Sequence, residues 1–445
     1  MTVRNLTRQL PFKRLAGYER DFTGFNEILV SSKHCRHRTA CILDPPGRPV
    51  STFKQHHARI SCIFLFVGNP YKENISPHNY LMAAPKVSVV IASYNHDQYI
   101  EECLNSVLNQ SFQDVEILVT DDGSTDTTQK ILARFCDPRL KVEFFPENRG
   151  ACIALNNCIR KASGEYIAVL NSDDLFLPGK LALQVGYLDA HPSIAATFGL
   201  PAFIDERGQL FSDTKHKDYS AFQVENQHHY SWLRRFFDKG NCLCHPTAMI
   251  RRECYTKLGL YDPRLAQVPD LDMWIRLCSQ HDIFLIDDAV TAFRIRDNLK
   301  NASSGRPDVI IRDAWERSRI LKHYLRLDND VFTRVFPEYD ENLSSPEWWL
   351  GLYSLQAGTP FHSAFGLDCL FRSLEQEPWN SRRHSEFILL TGRIDLYNLL
   401  REKFSLGPDS LDTQATSKHL PESGTASQAP STSIFARIAN LLRSN

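Results

Sequence analysis

A chain of 445 residues with 42% hydrophobic content can bury a substantial core, as one large domain with extensions or as two to three domains. Its 51 basic and 52 acidic residues leave a formal net charge of -1, which excludes a global field drawing it to nucleic acid or to an anionic membrane, so an anionic ligand must be held locally. The longest apolar run, Ile60 to Val67, is far short of the roughly 20 residues that span a bilayer, no signal-peptide architecture opens the chain, and the cysteines lack paired C-x-x-C spacing, so the composition reads as a cytoplasmic protein with reduced thiols.

Residues 1–84 mix basic residues, histidines and prolines without sustained periodicity. They read either as an irregular leader or as an upstream extension of the gene model, Met82 being the natural start in the second case. From Val87 onward strand and helix alternate with short connections, which predicts an α/β fold with a doubly wound, mostly parallel sheet covered on both faces. Val87 to Ala92 is the first strand, Ile100, Leu104, Val107 and Leu108 mark a helix, and Val115 to Thr120 is a second strand ending at Asp121-Asp122. Thr127 to Phe135 (helix), Leu140 to Phe145 (strand) and a helix with Ala151, Leu155, Cys158, Ile159 and Ala162 on one side lead to the strand Tyr166 to Leu170. That strand is apolar on both faces and ends in Asp173-Asp174.

Leu181 to Ala190 is then a helix, Ala195 to Ile204 a strand and Asp205 to Gly208 a turn. Residues 209–240 suit a loop and short helix over a binding cleft; His228 and His229 could bind a metal there, but without H-x-x-x-H spacing a polar surface loop is the favoured account. Met249 to Arg251, a helix from Cys254 to Leu258, a helix marked by Leu271, Ile275 and Leu277, and strands at Ile283 to Ile286 and Val290 to Ile295 close a domain spanning 85–305. Helical spacing continues through 306–405, a Ser/Thr/Pro/Gln-rich linker occupies 406–432, and 433–445 form a short amphipathic helix that docks or makes at most peripheral membrane contact.

Three acidic clusters fall at strand ends or helix starts: Asp121-Asp122, Asp173-Asp174, and Asp270 with Asp272. A doubly wound sheet brings successive strand ends to one crevice, so clusters distant in sequence can share a site. Adjacent carboxylates such as Asp173 and Asp174 repel unless a cation, a sugar hydroxyl or a helix N-terminus absorbs their charge; a divalent metal is one guest, and capping of the helix near Pro178 is the alternative. Tyr94 offers a ring to stack on a base, and Arg149 a cation beside a flexible backbone. Together these parts describe a nucleotide-diphosphate ligand.

The segments Val87 to Asn95, Ile117 to Asp126, Glu147 to Gly150, Gly164 to Asp174 and His245 to Arg252, in this order and spacing, resemble a family 2 glycosyltransferase with the GT-A fold over roughly residues 85–300. The resemblance implies inverting transfer of a sugar from a nucleotide-diphospho-sugar donor, usually with Mg²⁺ or Mn²⁺. Carried onto this chain, Tyr94 would stack on the donor base, Asp122 would hydrogen-bond its ring with Asp121 beside it, Asp173 would hold the ribose or sugar region, and Asp174 would be the metal ligand. Arg149 would contact the base region or cap a turn. Asp270 aligns with the catalytic carboxylate, although Pro-Asp at a helix start is also ordinary capping chemistry, and Asp272 is the next candidate base.

Three positions depart from the family pattern: Asn171 stands where a third acidic residue is common, Pro269 where an acidic residue often precedes the base, and Arg296 where a histidine is common. A saccharide or lipid-linked saccharide acceptor in cell-envelope or extracellular polysaccharide assembly is implied by the family alone. A sugar nucleotidyltransferase would need a glycine-rich loop after the first strand, where the chain reads Ser93-Tyr-Asn-His-Asp-Gln98. A sugar-nucleotide-binding protein without transfer activity is the remaining alternative.

Overall fold

The computed structural model describes residues 84–211, 213, 216–296, 306–375 and 381–393. The leader, the linker at 406–432 and the terminal helix expected at 433–445 lie outside the described residues. In chain order the first half comprises β1 (Val87–Ser93), α1 (Ile100–Leu108), β2 (Val115–Asp121), α2 (Thr128–Leu132), β3 (Leu140–Phe144), α3 (Ala151–Lys161), β4 (Tyr166–Asn171), β5 (Leu175–Phe176), α4 (Lys180–Ala190) and β6 (Ile194–Ile204). There follow α5 (Lys217–Ala221), α6 (His229–Lys239), β7 (Met249–Arg251), α7 (Arg252–Leu258), α8 (Pro269–Cys278) and β8 (Asp282–Arg294). The C-terminal part is helical, with α9 (Pro307–Ile320), a 3-10 segment at Leu321–Arg326, α10 (Asn329–Val335), α11 (Pro346–Ala357), α12 (Pro360–Leu374) and α13 (Arg382–Arg393).

One sheet runs in the order β3-β2-β1-β4-β7-β6-β8-β5. The pairs β1–β2, β1–β4, β2–β3 and β6–β8 are parallel, as the alternation of strands and helices requires, while the short β7 and β5 join antiparallel. Alternate side chains of β1 serve two cores. Val89 and Ile91 pack with Leu104 of α1 and Leu181 and Leu188 of α4, whereas Val90 packs with Leu155 and Ile159 of α3 and with Trp274 of α8. In register, Ser93 lies opposite Asp121 and Ala92 opposite Asn171, so the carboxyl ends of β1, β2 and β4 finish side by side. That alignment creates the edge on which the polar residues gather.

Two details differ from the sequence reading. The expected strands at 283–286 and 290–295 are the single strand β8, which crosses the exposed Asp287 and Asp288 by shifting register against β6 around Leu200. The two-residue β5 lies in a three-residue apolar run, Leu175 to Leu177, too short to announce a strand; it exists because Leu175 and Phe176 pair with Ala292 and Thr291 of β8. The helices after residue 305 share the core beneath α6 and α8: the Phe237 ring meets Tyr324 at 4.9 Å and Phe336 at 5.2 Å, and Leu350, Phe365 and Cys369 belong to the same cluster. By its length and aromatic content this packing ties the C-terminal helices to the elements that carry Asp270.

Candidate active site

At the ends of β1 and β2 the backbone turns sharply. Tyr94 is 42% exposed, and Asn95, at φ 50, turns its side-chain oxygen to accept the amide of Thr125 at 2.8 Å. Asp121 is buried and spends both oxygens on its own loop, accepting from the Ser124 amide (3.0 Å), the Ser124 hydroxyl (2.6 Å) and Gln129 Nε2 (2.7 Å). Asp122 accepts the amides of Arg149 and Gly150, each at 2.8 Å, and so fixes the entry to α3. Gly123 must be glycine, because at φ 72 a Cβ would come within 2.4 Å of the Glu147 carbonyl carbon. Arg149 is exposed, with its guanidinium 5.2 Å from the Phe145 ring centroid, and its contact with Asp122 is through its backbone.

The pair after β4 divides its duties. Asp174 is 1% exposed and accepts from Asn171 Nδ2 and from the Arg294 amide, both at 2.8 Å, and burial beside Asp173 holds its carboxyl well above the ordinary carboxylate range. Asp173 keeps 14% of its side chain exposed, with Oδ2 at 3.3 Å from Arg296 Nη1 and 3.8 Å from His96 Nε2. Neither caps the following helix, whose N-cap is Gly179 and receives no side-chain bond. Arg294, buried, ties the whole turn together by donating to the carbonyl of Asp173 (2.8 Å), the carbonyl of Asp205 (3.0 Å) and Glu102 Oε2 (2.9 Å). His96 joins this group to β1 through Ser172 Oγ at 2.7 Å and also contacts Arg296; burial lowers its pKa.

Asp270 sits in the first turn of α8, where Val268 is the N-cap and no side chain caps the helix. Its Oδ1 accepts the neighbouring Leu271 amide at 2.8 Å, and its Oδ2 accepts Asn241 Nδ2 at 2.5 Å. Burial pushes its pKa up to about 6 against the opposing pull of those two donors. The segment before it is anchored from α9: the buried carboxylate of Glu316 accepts the amides of Ala266 (2.9 Å), Gln267 (2.7 Å) and Val268 (3.2 Å). Asp272 points to structural partners, Arg276 Nη2 and His323 Nε2, each at 2.7 Å; although burial opposes it, these bonds hold Asp272 below its ordinary value. The Cys152 thiol, in the first turn of α3 beside the Asp122 anchor, donates to the Leu265 carbonyl at 3.4 Å, linking the two groups of residues.

The sequence alone did not single out His96, Asn241, Arg294 or Glu316. A histidine at the end of β1 was the only one carrying a positional signal; the other three matter through partners far along the chain.

The Glycosyl transferase family 2 model matches residues 88–259. An uncharacterized glycosyltransferase of Methanocaldococcus jannaschii is 30% identical over 224 residues, which is 49% of this chain and 74% of that protein. This chain belongs to glycosyl transferase family 2. It is a glycosyltransferase by that membership. The chondroitin synthase of Escherichia coli is 29% identical over 241 residues, 53% of this chain and 33% of that longer protein. Among solved structures, Staphylococcus aureus TarS 1-349 in complex with UDP covers 72% of this chain and 91% of its own at 19% identity and a TM-score of 0.47. The mannosyltransferase PcManGT from Pyrobaculum calidifontis in complex with GDP-Man and Mn²⁺ covers 73% of this chain at a TM-score of 0.42. No helix among the described residues is long and apolar enough to cross a membrane.

Proposed function

We propose that this glycosyltransferase moves a sugar from a nucleotide-diphospho-sugar donor to a hydroxyl of a saccharide or lipid-linked saccharide acceptor, with inversion and with Asp270 as the general base. The observation that carries the reading is the state of Asp270: a carboxylate in the first turn of α8, outside the helix cap, held by Asn241 and the Leu271 amide, with a pKa raised to about 6. A base in that range is ionised at neutral pH yet basic enough to take a proton in the transition state. As the acceptor oxygen forms its bond to the anomeric carbon, its proton passes to Asp270 and the bond from that carbon to the diphosphate oxygen breaks. The nucleoside diphosphate leaves from the opposite face.

On the donor side, Tyr94 stacks on the base and Asp122 accepts from the ring while holding the Arg149 and Gly150 amides; Asp121 supports that loop from below, and Arg149 lies beside the base. The carboxylates of Asp173 and Asp174 would suit a hard divalent cation, Mg²⁺ or Mn²⁺, which prefers oxygen ligands. Asp173 is the more open carboxylate, whereas Asp174 is enclosed, each of its oxygens accepting one hydrogen bond. We assign the ion first to Asp173 and keep Asp174, the ligand the resemblance implies, as the alternative, its carboxylate also tying the turn to β8 through the Arg294 amide. A cation held there would supply positive charge against the diphosphate. Arg296, paired with Asp173, adds a second positive charge to the same place.

A polysaccharide-building role follows the chondroitin synthase relative, and a cytoplasmic location, at most peripheral to the membrane, agrees with the family's use of nucleotide-activated donors. The reading is tested by offering UDP-, GDP- and dTDP-sugars with Mn²⁺ and measuring nucleotide release. Release from at least one donor, stimulated by an acceptor saccharide, is expected. Binding without release from any of them would leave a nucleotide-sugar-binding protein instead.

A further inference from the structure

Away from the donor site, among the described residues, His228, His229 and Asp282 are the one set of three histidine, cysteine or carboxylate side chains whose candidate ligand atoms all lie within 4.8 Å of one another. His228 precedes α6 and His229 is its first residue, while Asp282 opens β8. The two imidazole Nε2 atoms lie 3.7 Å and 4.0 Å from the same oxygen, Asp282 Oδ1. Ligands about 2.0–2.1 Å from a tetrahedral Zn²⁺ stand roughly 3.3 Å apart, so the two histidine–aspartate separations need to close by about 0.4 and 0.7 Å, within reach of side-chain rotation.

The histidines are also prepared for the role. His229 Nδ1 lies 2.8 Å from the Cys278 carbonyl oxygen, and since a carbonyl only accepts, Nδ1 carries the proton and Nε2 presents its lone pair toward Asp282. A hydrogen bond of this kind on the far ring nitrogen sets the tautomer and the orientation of a ligating imidazole. The Tyr230 ring lies against both imidazoles, at 4.8 Å from His228 and 3.9 Å from His229. His229 is the enclosed member, 13% exposed, whereas His228 at 57% leaves the ion a way in.

We propose that His228, His229 and Asp282 bind one divalent cation of the zinc class, with a fourth position open to water, and that the ion clips the start of α6 to the start of β8. Two imidazoles and one carboxylate select Zn²⁺, Co²⁺, Ni²⁺ or Cu²⁺ over Mg²⁺, Ca²⁺ and Mn²⁺, which prefer all-oxygen sets. The site is thus chemically distinct from the oxygen-rich Asp173. Its position has a consequence for the enzyme: α6 ends at Lys239, and Asn241, two residues on, is the donor to Asp270.

The test uses the full chain without an affinity tag, freed of metal, titrated with Zn²⁺ against a chromophoric chelator and with Co²⁺ by visible absorption. One equivalent of Zn²⁺, an intense Co²⁺ ligand-field band and a rise in Tm on Zn²⁺ addition are expected. His229→Ala and Asp282→Ala each remove a ligand and should weaken binding by at least the roughly ten- to hundredfold that loss of a supporting partner costs, and Asp173→Ala should leave it unchanged. His228→Ala alters an exposed side chain and leaves the fold intact, so binding lost there while circular dichroism is preserved would support the site without ambiguity. The proposal is overturned if no stoichiometric binding occurs, or if a folded His228→Ala or His229→Ala/Asp282→Ala protein binds Zn²⁺ as the parent does.

Discussion

Glu316 lies 46 residues beyond Asp270 in the sequence, yet its carboxylate governs where Asp270 stands. In Glu316→Ala the amides of Ala266, Gln267 and Val268 lose their acceptor. Hydrogen bonds to a charged group contribute about 1.5–3 kcal/mol each, but the three do not sum. Ala266 is exposed and Gln267 half-buried, so water can replace the carboxylate at both, whereas the Val268 amide is enclosed and keeps its full loss. Removing a buried carboxylate also removes its desolvation cost, which offsets part of the damage. A net destabilisation of about 2–4 kcal/mol follows, seen as a fall in Tm of roughly 5–10 °C. Because a displacement of about 1 Å near a reacting group can lower a rate about a hundredfold, transfer should fall by about ten- to a hundredfold while donor affinity, set at the other strand ends, is retained. Glu316→Gln keeps one accepting oxygen and should lie between. Arg312→Ala removes only a half-exposed partner of Glu316 and should change Tm by no more than a degree or two. Calorimetry for donor binding, steady-state transfer rates and thermal melts measure the three quantities; a Glu316→Ala protein with the parent's transfer rate and Tm would refute the positioning role.

The remaining expectations concern other parts of the site. Since the base must be ionised and burial raises its pKa to about 6, transfer should rise with pH through that value and level off above it; an acid limb centred near pH 4 would contradict the assignment of Asp270. Asp173→Ala should abolish the cation-dependent part of UDP or GDP binding in a folded protein, whereas Asp174→Ala should chiefly lower Tm by freeing the Arg294 amide and Asn171; calorimetry with and without Mn²⁺ separates them, and the reverse pattern would return the metal to Asp174. Tyr94→Ala should weaken donor binding by about 1–3 kcal/mol, the worth of stacking on one base, with no change in Tm because the ring is exposed.

The central sheet was legible because β1, β2 and β4 are apolar runs ended by polar residues, and buried parallel strands require such runs. Asp121, Asp122, Asp173 and Asp174 were therefore found by position. Their division of labour was not: whether an aspartate faces outward or is spent on backbone amides depends on the Arg149 and Gly150 amides for Asp122 and on the Arg294 amide for Asp174. The same limit explains the split reading of β8, whose exposed Asp287 and Asp288 look like a loop until β6 is seen to shift register beside them. His228 and His229 read as a surface loop because their third companion, Asp282, arrives only when β8 meets α6. Capping and catalysis at Asp270 could not be separated from Pro-Asp alone; the structure makes Val268 the N-cap and adds the bond from Asn241, which supports the proposed role of Asp270.

The most direct test is Asp270→Asn, which keeps the size of the side chain and one of the two oxygens that accept from Asn241 and the Leu271 amide while removing its ability to take a proton. With the preferred nucleotide-sugar and acceptor, the transfer rate should fall by about two to four orders of magnitude, with donor affinity close to that of the parent and Tm lowered by no more than the loss of one hydrogen bond, about 1 kcal/mol, entails. A variant that transfers sugar at near the parental rate would contradict the account and leave the base to be sought among other groups, Asp272 being disfavoured by its pairing with Arg276 and His323.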